Sequence, residues 1–177
     1  MQHPLTLCRQ SALVGLCLVL VLVTSASAGE VFTGTVVAVT DGDTISVVRH
    51  GFYMHDATPE KVRLAGIDAP EKTQPWGVQA HLFMQSLVHQ QNVTVTVEKT
   101  DRYGRLVSTV HVWDSRMVES RNVGHELVRA GLAWWYRQYA PKDLILAQLE
   151  AEARAAGRGL WAHSNPIAPW AWRKGTR

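Results

Sequence analysis

Cysteine is nearly absent from this chain. Of 177 residues only Cys8 and Cys17 are cysteines, and both fall near the start. A domain built from the remainder has no disulfides to staple it. It also has no thiolate zinc site and no cysteine nucleophile. Long hydrophobic runs are equally scarce. The one uninterrupted stretch is ALVGLCLVLVLVT, residues 12–24, short of the roughly 20 residues that span a bilayer. Arg9 precedes it, and SASAGE follows with Ala26 and Ala28 in small-x-small spacing. This pattern predicts a secretory signal peptide over residues 1–28, cleaved after Ala28; an uncleaved N-terminal anchor is the alternative. The mature chain is therefore expected to be exported, periplasmic or secreted, with no stable membrane association after cleavage.

A strong net charge is lacking too. Lys and Arg number 18 against 15 Asp and Glu, and removing Arg9 with the leader leaves 17. So small an excess does not by itself imply a polyanionic partner, and distribution matters more. Acids concentrate near 41–71, and basic residues recur at 99–105 and 173–177. There is no internal repeat and no low-complexity segment. The eight histidines are scattered without metal-ligand spacing, and nothing indicates an oligomer.

What is present begins with VVAVTDGDTISVV, residues 36–48. Asp-Gly between alternating apolar residues is a hairpin signal, because both residues tolerate tight-turn backbone. That accounts for Asp41 and Gly42. It leaves Asp43 unexplained, since aspartate is depleted in strands. In extended chain, residues two apart face one side. Two converging carboxylates repel unless a proton or cation lies between them.

Strands are predicted on both sides of this turn, over EKVRLAGI, and over NVTVTVEKTDRYGRLVSTVHVWD as a second hairpin turning near Gly104. Helical spacing covers Gly77–Gln90 (Val78, Leu82, Phe83 and Leu87), Val123–Leu132 with Gly131 as C-terminal cap, and Asp143–Ala156 (Leu146, Leu149, Ala153 and Ala156). Five short strands with a helix between the third and fourth fit an α+β fold, a five-stranded Greek-key OB-fold barrel with about three helices. Other α+β arrangements also fit the pattern. The domain is placed at 29–162, followed by an irregular tail, 163–177, rich in proline, tryptophan and basic residues, in which Trp170 or Trp172 packs on the domain. The run WWY at 134–136 reads as packing.

The chemistry-bearing inventory is Asp41, Asp43, Asp68, Glu71, Arg63 and Arg105, each at a strand end or turn. Hard oxygen ligands suit Ca²⁺ or Mg²⁺ rather than zinc or copper. A cation beside two arginines suits phosphoryl chemistry, with a carboxylate to activate or orient water. Singly, each residue also reads as a turn former or an exposed charge.

The motifs DGDT, RLAGIDAPE and TDRYGR, in this order and approximate spacing, resemble the thermonuclease (staphylococcal nuclease-like) family. GHELVRAGLAWWYRQYAP and AEARAAGRGLW are similar to its bacterial members. The resemblance covers roughly 31–161, about one domain. It implies an OB-fold, Ca²⁺-dependent endonuclease that hydrolyses DNA and RNA, single strands favoured, and leaves 3′-phosphates. Carried over by motif, Arg63, Glu71 and Arg105 are catalytic. Asp43, Asp68 and the Ala69 carbonyl would bind calcium, with Asp41 acting through water. Tyr103, Arg137 and Tyr139 would contact substrate. Arg137 stands where the family often has a tyrosine, and the link KTQPWG is short. Two other readings remain: a non-catalytic OB module that binds nucleic acid, and an envelope domain whose acids bind calcium for stability alone.

Overall fold

The structure is a computed structural model that describes residues 29–51 and 58–175; the expected signal peptide lies outside the described residues. Its strands are β1 (Val31–Val39), β2 (Thr44–Arg49), β3 (Glu60–Leu64), β4 (Ile67–Asp68), β5 (Asn92–Thr100), β6 (Leu106–Asp114), β7 (Glu119–Asn122) and β8 (Trp134–Trp135). Helices are α1 (Gly77–Val88), α2 (Val123–Arg129), α3 (Leu144–Ala155) and α4 (Pro169–Trp172).

One sheet runs β3-β2-β1-β5-β6-β7, and β3 also pairs parallel with β6. That last pairing closes five strands into a barrel, as the α+β OB-fold expectation requires, and removes the open edges a flat sheet would leave. The barrel is filled by period-two alternation: Phe32 and Val36 from β1, Ile45 and Val47 from β2, Val62 and Leu64 from β3, Val93 and Val95 from β5, Val110 and Val112 from β6. The strand expected over EKVRLAGI breaks at Ala65–Gly66 into β3 and the short β4; β7 and β8, which the sequence did not predict, are, like β4, short additions outside the closed five.

Helix α1 packs only part of the stripe its larger apolar residues suggested: Phe83 and Leu87 lie half-buried against the core. Val78 and Leu82 are exposed, whereas Gly77, Ala80, Met84 and Val88 are buried. Small residues sit at the contact because α1 approaches the β1–β2 turn closely. Helix α2 ends as expected at Gly131 (φ 69°). Gly131 N–H donates to Val128 O at 2.9 Å and Leu132 N–H to Leu127 O at 2.8 Å, the paired bonds of a Schellman cap. Helix α3 starts where Asp143 accepts a hydrogen bond from Leu146 N–H at 2.9 Å, and it buries Leu146, Leu149 and Ala153 while Ala156 stays exposed.

Trp134 and Trp135 do more than pack. As β8 they pair antiparallel with β4, Trp134 opposite Asp68 and Trp135 opposite Ile67. The tail is irregular except for the single turn of α4. Trp170 stacks on Tyr136 (4.9 Å between centroids, 9° between planes) and stands edge-on to Trp134 at 5.5 Å.

Candidate active site

The β1–β2 turn begins the site. Thr40 N–H donates to Thr44 O at 2.8 Å, and Asp41 Oδ1 accepts from Asp43 N–H at 3.1 Å, so the first aspartate closes an Asx turn on the second. Gly42 presses against its neighbours: a Cβ there would lie 2.7 Å from the Ala69 Cβ and 2.8 Å from the Ala80 Cβ. Only a glycine lets the turn seat between Ala69 and α1. Asp43 is thereby buried, with Oδ2 accepting from Ala69 N–H at 2.9 Å and Oδ1 from Thr44 Oγ1 at 3.0 Å.

Strand register supplies the first arginine. Arg63 on β3 pairs with Thr44 on β2, which sets its guanidinium beside Asp43. Nη1 forms an ion pair with Asp43 Oδ1, and Nη2 donates to Asp68 Oδ1 at 2.8 Å and to the Ile67 carbonyl at 3.4 Å. One guanidinium therefore bridges the two aspartates that the sequence places 25 residues apart. Asp68 is fully buried, held in β4 by its pairing with Trp134.

The surroundings move these groups in opposite directions. Burial pushes the Asp41 carboxyl up to about 6, helped by the neighbouring Asp43 charge. Burial also acts upward on Asp43, but Arg63, the Ala69 N–H and Asp41 outweigh it and hold Asp43 below the usual carboxylate range. Asp68 stays above that range, because burial and the Asp43 charge exceed the pull of Arg173 and Arg63. For Arg63 and Arg173, burial is overridden by their carboxylate partners, so both are held more firmly protonated than a free arginine.

Glu71 lies three residues beyond Asp68, at the rim, with its side chain 38% exposed. Its N–H donates to Gln74 Oε1 at 3.2 Å. Its carboxylate meets a residue the sequence reading did not single out. Arg173, one residue past α4, donates from Nη1 to Glu71 Oε1 at 2.7 Å. The same guanidinium forks onto Asp68, from Nη2 to Oδ2 at 2.7 Å and from Nη1 to Oδ1 at 3.2 Å.

Arg105 is not in that cluster. Its Nε donates to Asp101 Oδ2 at 2.8 Å and its N–H to Asp101 Oδ1 at 3.0 Å. It stands just before β6, whose first residues pair parallel with β3, Arg63 opposite Val107. Tyr103 is exposed, with the Arg102 and Arg105 guanidiniums 4.9 and 5.4 Å from its ring centroid. Tyr139 is exposed as well, edge-on to Tyr136 at 4.7 Å, with Lys99 5.3 Å from its ring centroid. Arg137 instead turns over the Trp135 ring at 4.7 Å and reaches Glu150 at 3.7 Å. Trp76 packs against the core.

Among the described residues, no three His, Cys, Asp or Glu side chains converge as a ready-made metal site. The expected donors Asp43, Asp68 and Ala69 are together, but Asp41 caps the turn. The donor set still fits a hard divalent cation. It is all oxygen: three carboxylates (Asp43, Asp68 and Glu71) pair with two guanidiniums (Arg63 and Arg173), and a fourth, Asp41, caps the turn beside Asp43. With every acid ionised, the cluster is short of two positive charges. Burial first, and then the Asp43 charge, push the Asp41 carboxyl in the same direction.

A family model described as staphylococcal nuclease homologue matches residues 61–163. An uncharacterized endonuclease of Escherichia coli O157:H7 is 44% identical over 79% of this chain and 84% of its own. The protein ParB of Escherichia coli is 40% identical over 87% of this chain and 86% of its own. A micrococcal nuclease of Shigella flexneri is 37% identical over 89% of each.

Proposed function

The chain belongs to the staphylococcal nuclease family and is a nuclease, a hydrolase of phosphodiester bonds; from that premise we propose that it is an exported, calcium-dependent endonuclease acting on DNA and RNA, single strands favoured, and leaving 3′-phosphates. The observation that carries the site assignment is the Arg63 guanidinium bridging Asp43 and Asp68, with Glu71 joined to the same cluster through Arg173.

Glu71 is the carboxylate at the rim, where a water can reach it. It accepts a proton from, or orients, the water that attacks phosphorus. The P–O5′ bond breaks, the O5′ oxygen leaves and takes up a proton, and the products are a 3′-phosphate and a 5′-hydroxyl. Arg63 has five N–H donors. Its bonds to Asp43, Asp68 and the Ile67 carbonyl use Nη1 and Nη2, so Nε–H and the second Nη1–H remain for a phosphate oxygen. Arg105 commits its Nε to Asp101, which fixes the plane of the guanidinium and leaves its Nη donors for a phosphate. Donors from both guanidiniums on one phosphate stabilise the charge that develops on its oxygens. Asp43 and Asp68, with the Ala69 carbonyl and with Asp41 through water, would hold calcium. When bound, the ion supplies positive charge that polarises the phosphoryl group. Tyr103 and Tyr139, both exposed, offer faces on which unstacked bases can lie, and Arg137 supplies a nearby cation.

The test is cleavage of single-stranded DNA and RNA by the purified protein with calcium or with chelator, beside Glu71→Gln and Arg105→Ala. Calcium-dependent cleavage to 3′-phosphate ends, lowered by about 10²-fold or more in each variant, is the expected result. Full turnover in chelator, or in both variants, would overturn the metal and residue assignments respectively.

A further inference from the structure

We propose that Arg173 is a positioning residue for the hydrolysis, delivered by a C-terminal arm that lies beyond the matched family domain and acting through Glu71. The inference rests on the reading of Glu71 as the water-orienting carboxylate.

The matched domain ends at residue 163, and the barrel and its three longer helices are complete before that point. Ten residues later the chain returns to the site. The return is built rather than loose. Gln74 Nε2 donates to the Ile167 carbonyl at 2.6 Å, tying the arm to the loop that carries Glu71. Pro169 opens α4, Trp170 lies flat on Tyr136, and Arg173 N–H closes the turn on the Pro169 carbonyl at 3.0 Å. Fixing the turn fixes where the Arg173 side chain departs.

The guanidinium itself has one buried anchor and one exposed client. Asp68, fully buried, takes both Nη atoms, so the plane of the fork is set. Nη1 then points to Glu71 Oε1 at 2.7 Å. Among the described residues this is the one side-chain partner of the Glu71 carboxylate. A half-exposed glutamate without it would sample several rotamers, and a carboxylate that must address one water loses rate when it wanders. Arg173 therefore holds the Glu71 carboxylate in one orientation.

The experiment uses the full chain, calcium at saturation and a single-stranded DNA substrate. Arg173→Ala, Arg173→Lys, Glu71→Gln, the double variant and Lys174→Ala, which removes a neighbouring exposed charge, are compared for kcat, KM and Tm. Misorientation of the catalytic group predicts that Arg173→Ala lowers kcat by roughly 10²-fold while KM moves about twofold or less. Arg173→Lys recovers part of kcat, Lys174→Ala matches the parent, and Tm confirms that each variant is folded. In the Glu71→Gln background, Arg173→Ala costs less than about threefold, because its effect has already been removed.

Unchanged or raised kcat in Arg173→Ala would overturn the proposal, the raised value marking the arm as a plug. A KM increase at constant kcat would overturn it in favour of substrate contact, and a full cost in the Glu71→Gln background would show independent action. An equal loss in Lys174→Ala would reduce the effect to general tail charge. If Glu71→Gln keeps the parent's turnover, the reading of Glu71 and this inference fall together. If Glu71→Gln is inactive and Arg173→Ala is not, the inference alone falls.

Discussion

Replacing Asp41 with asparagine should stabilise the metal-free protein near neutral pH. Asp41 is shifted from 3.8 to about 6, first by burial and then by the charge on Asp43. The folded carboxyl thus binds its proton more tightly than the unfolded one. Linkage fixes the sign: between about pH 4 and pH 6 the native state holds more protons, so stability falls as pH rises through that window and levels off above it. A shift of about 2 units at 1.36 kcal/mol each makes the loss about 3 kcal/mol. Asparagine cannot ionise, yet its Oδ1 can still accept the Asp43 N–H bond that closes the turn. In chelator at pH 7.5, Asp41→Asn should therefore exceed the parent in stability by about 3 kcal/mol, and the gap should close below about pH 4. Urea midpoints measured from pH 3.5 to 8 give the curve directly. A gap of constant size across that range, or no gap at pH 7.5, would refute the account of Asp41 as a strained, uncompensated charge. Calcium provides a second arm. Its binding should raise the parent's stability above pH 6 and shrink the gap, since a ligand that binds only the native state shifts unfolding by mass action.

Two further substitutions probe the same cluster. Arg63→Ala leaves the buried carboxylates of Asp43 and Asp68 without their bridging cation, and should cost about 3–5 kcal/mol in urea unfolding at neutral pH; a loss under about 1 kcal/mol would show that the bridge is not a structural element. Trp170→Ala removes the stacking on Tyr136 that seats the arm. It should lower stability by about 2 kcal/mol and lower kcat as Arg173→Ala does, whereas unaltered kinetics would mean that Arg173 finds Glu71 without the arm's packing.

The hairpin around Asp41 and Gly42, the β3 strand carrying Arg63 and the stripe of α3 were legible because each is a local periodicity with a local punctuation mark. Asp143 caps α3 where the pattern begins, and Gly131 ends α2 where it stops. The buried face of α1 was legible only in part, through Phe83 and Leu87. Val78 and Leu82 outweigh Ala80 in hydrophobicity, yet the seat opposite Gly42 admits only a small side chain, a constraint that comes from another element. Strands of two residues, such as β4 and β8, carry no period at all, so the pairing that holds Asp68 in place reads in sequence only as WWY. Arg173 stands 102 residues from Glu71, in a segment whose prolines and tryptophans read as irregular. Its one signal was arithmetic: four acids with two arginines, of which one turns out to be occupied by Asp101.

That arithmetic explains the shape of the site. Asp68 is the fixed point, buried completely and shared by two guanidiniums of unlike origin. Arg63 comes from the barrel wall and cannot leave without exposing Asp43 and Asp68 to each other. Arg173 comes from the tail, with its side chain 43% exposed, and is the cation most open to exchange. The inner pair, Asp43 and Arg63, is thereby a constant of the fold. The outer group, Glu71 and Arg173, sits at the rim, open to solvent. A buried ion pair is weak support for stability by itself; what this one does is hold two carboxylates at fixed positions. The two positive charges that the cluster still lacks equal the charge of one divalent cation.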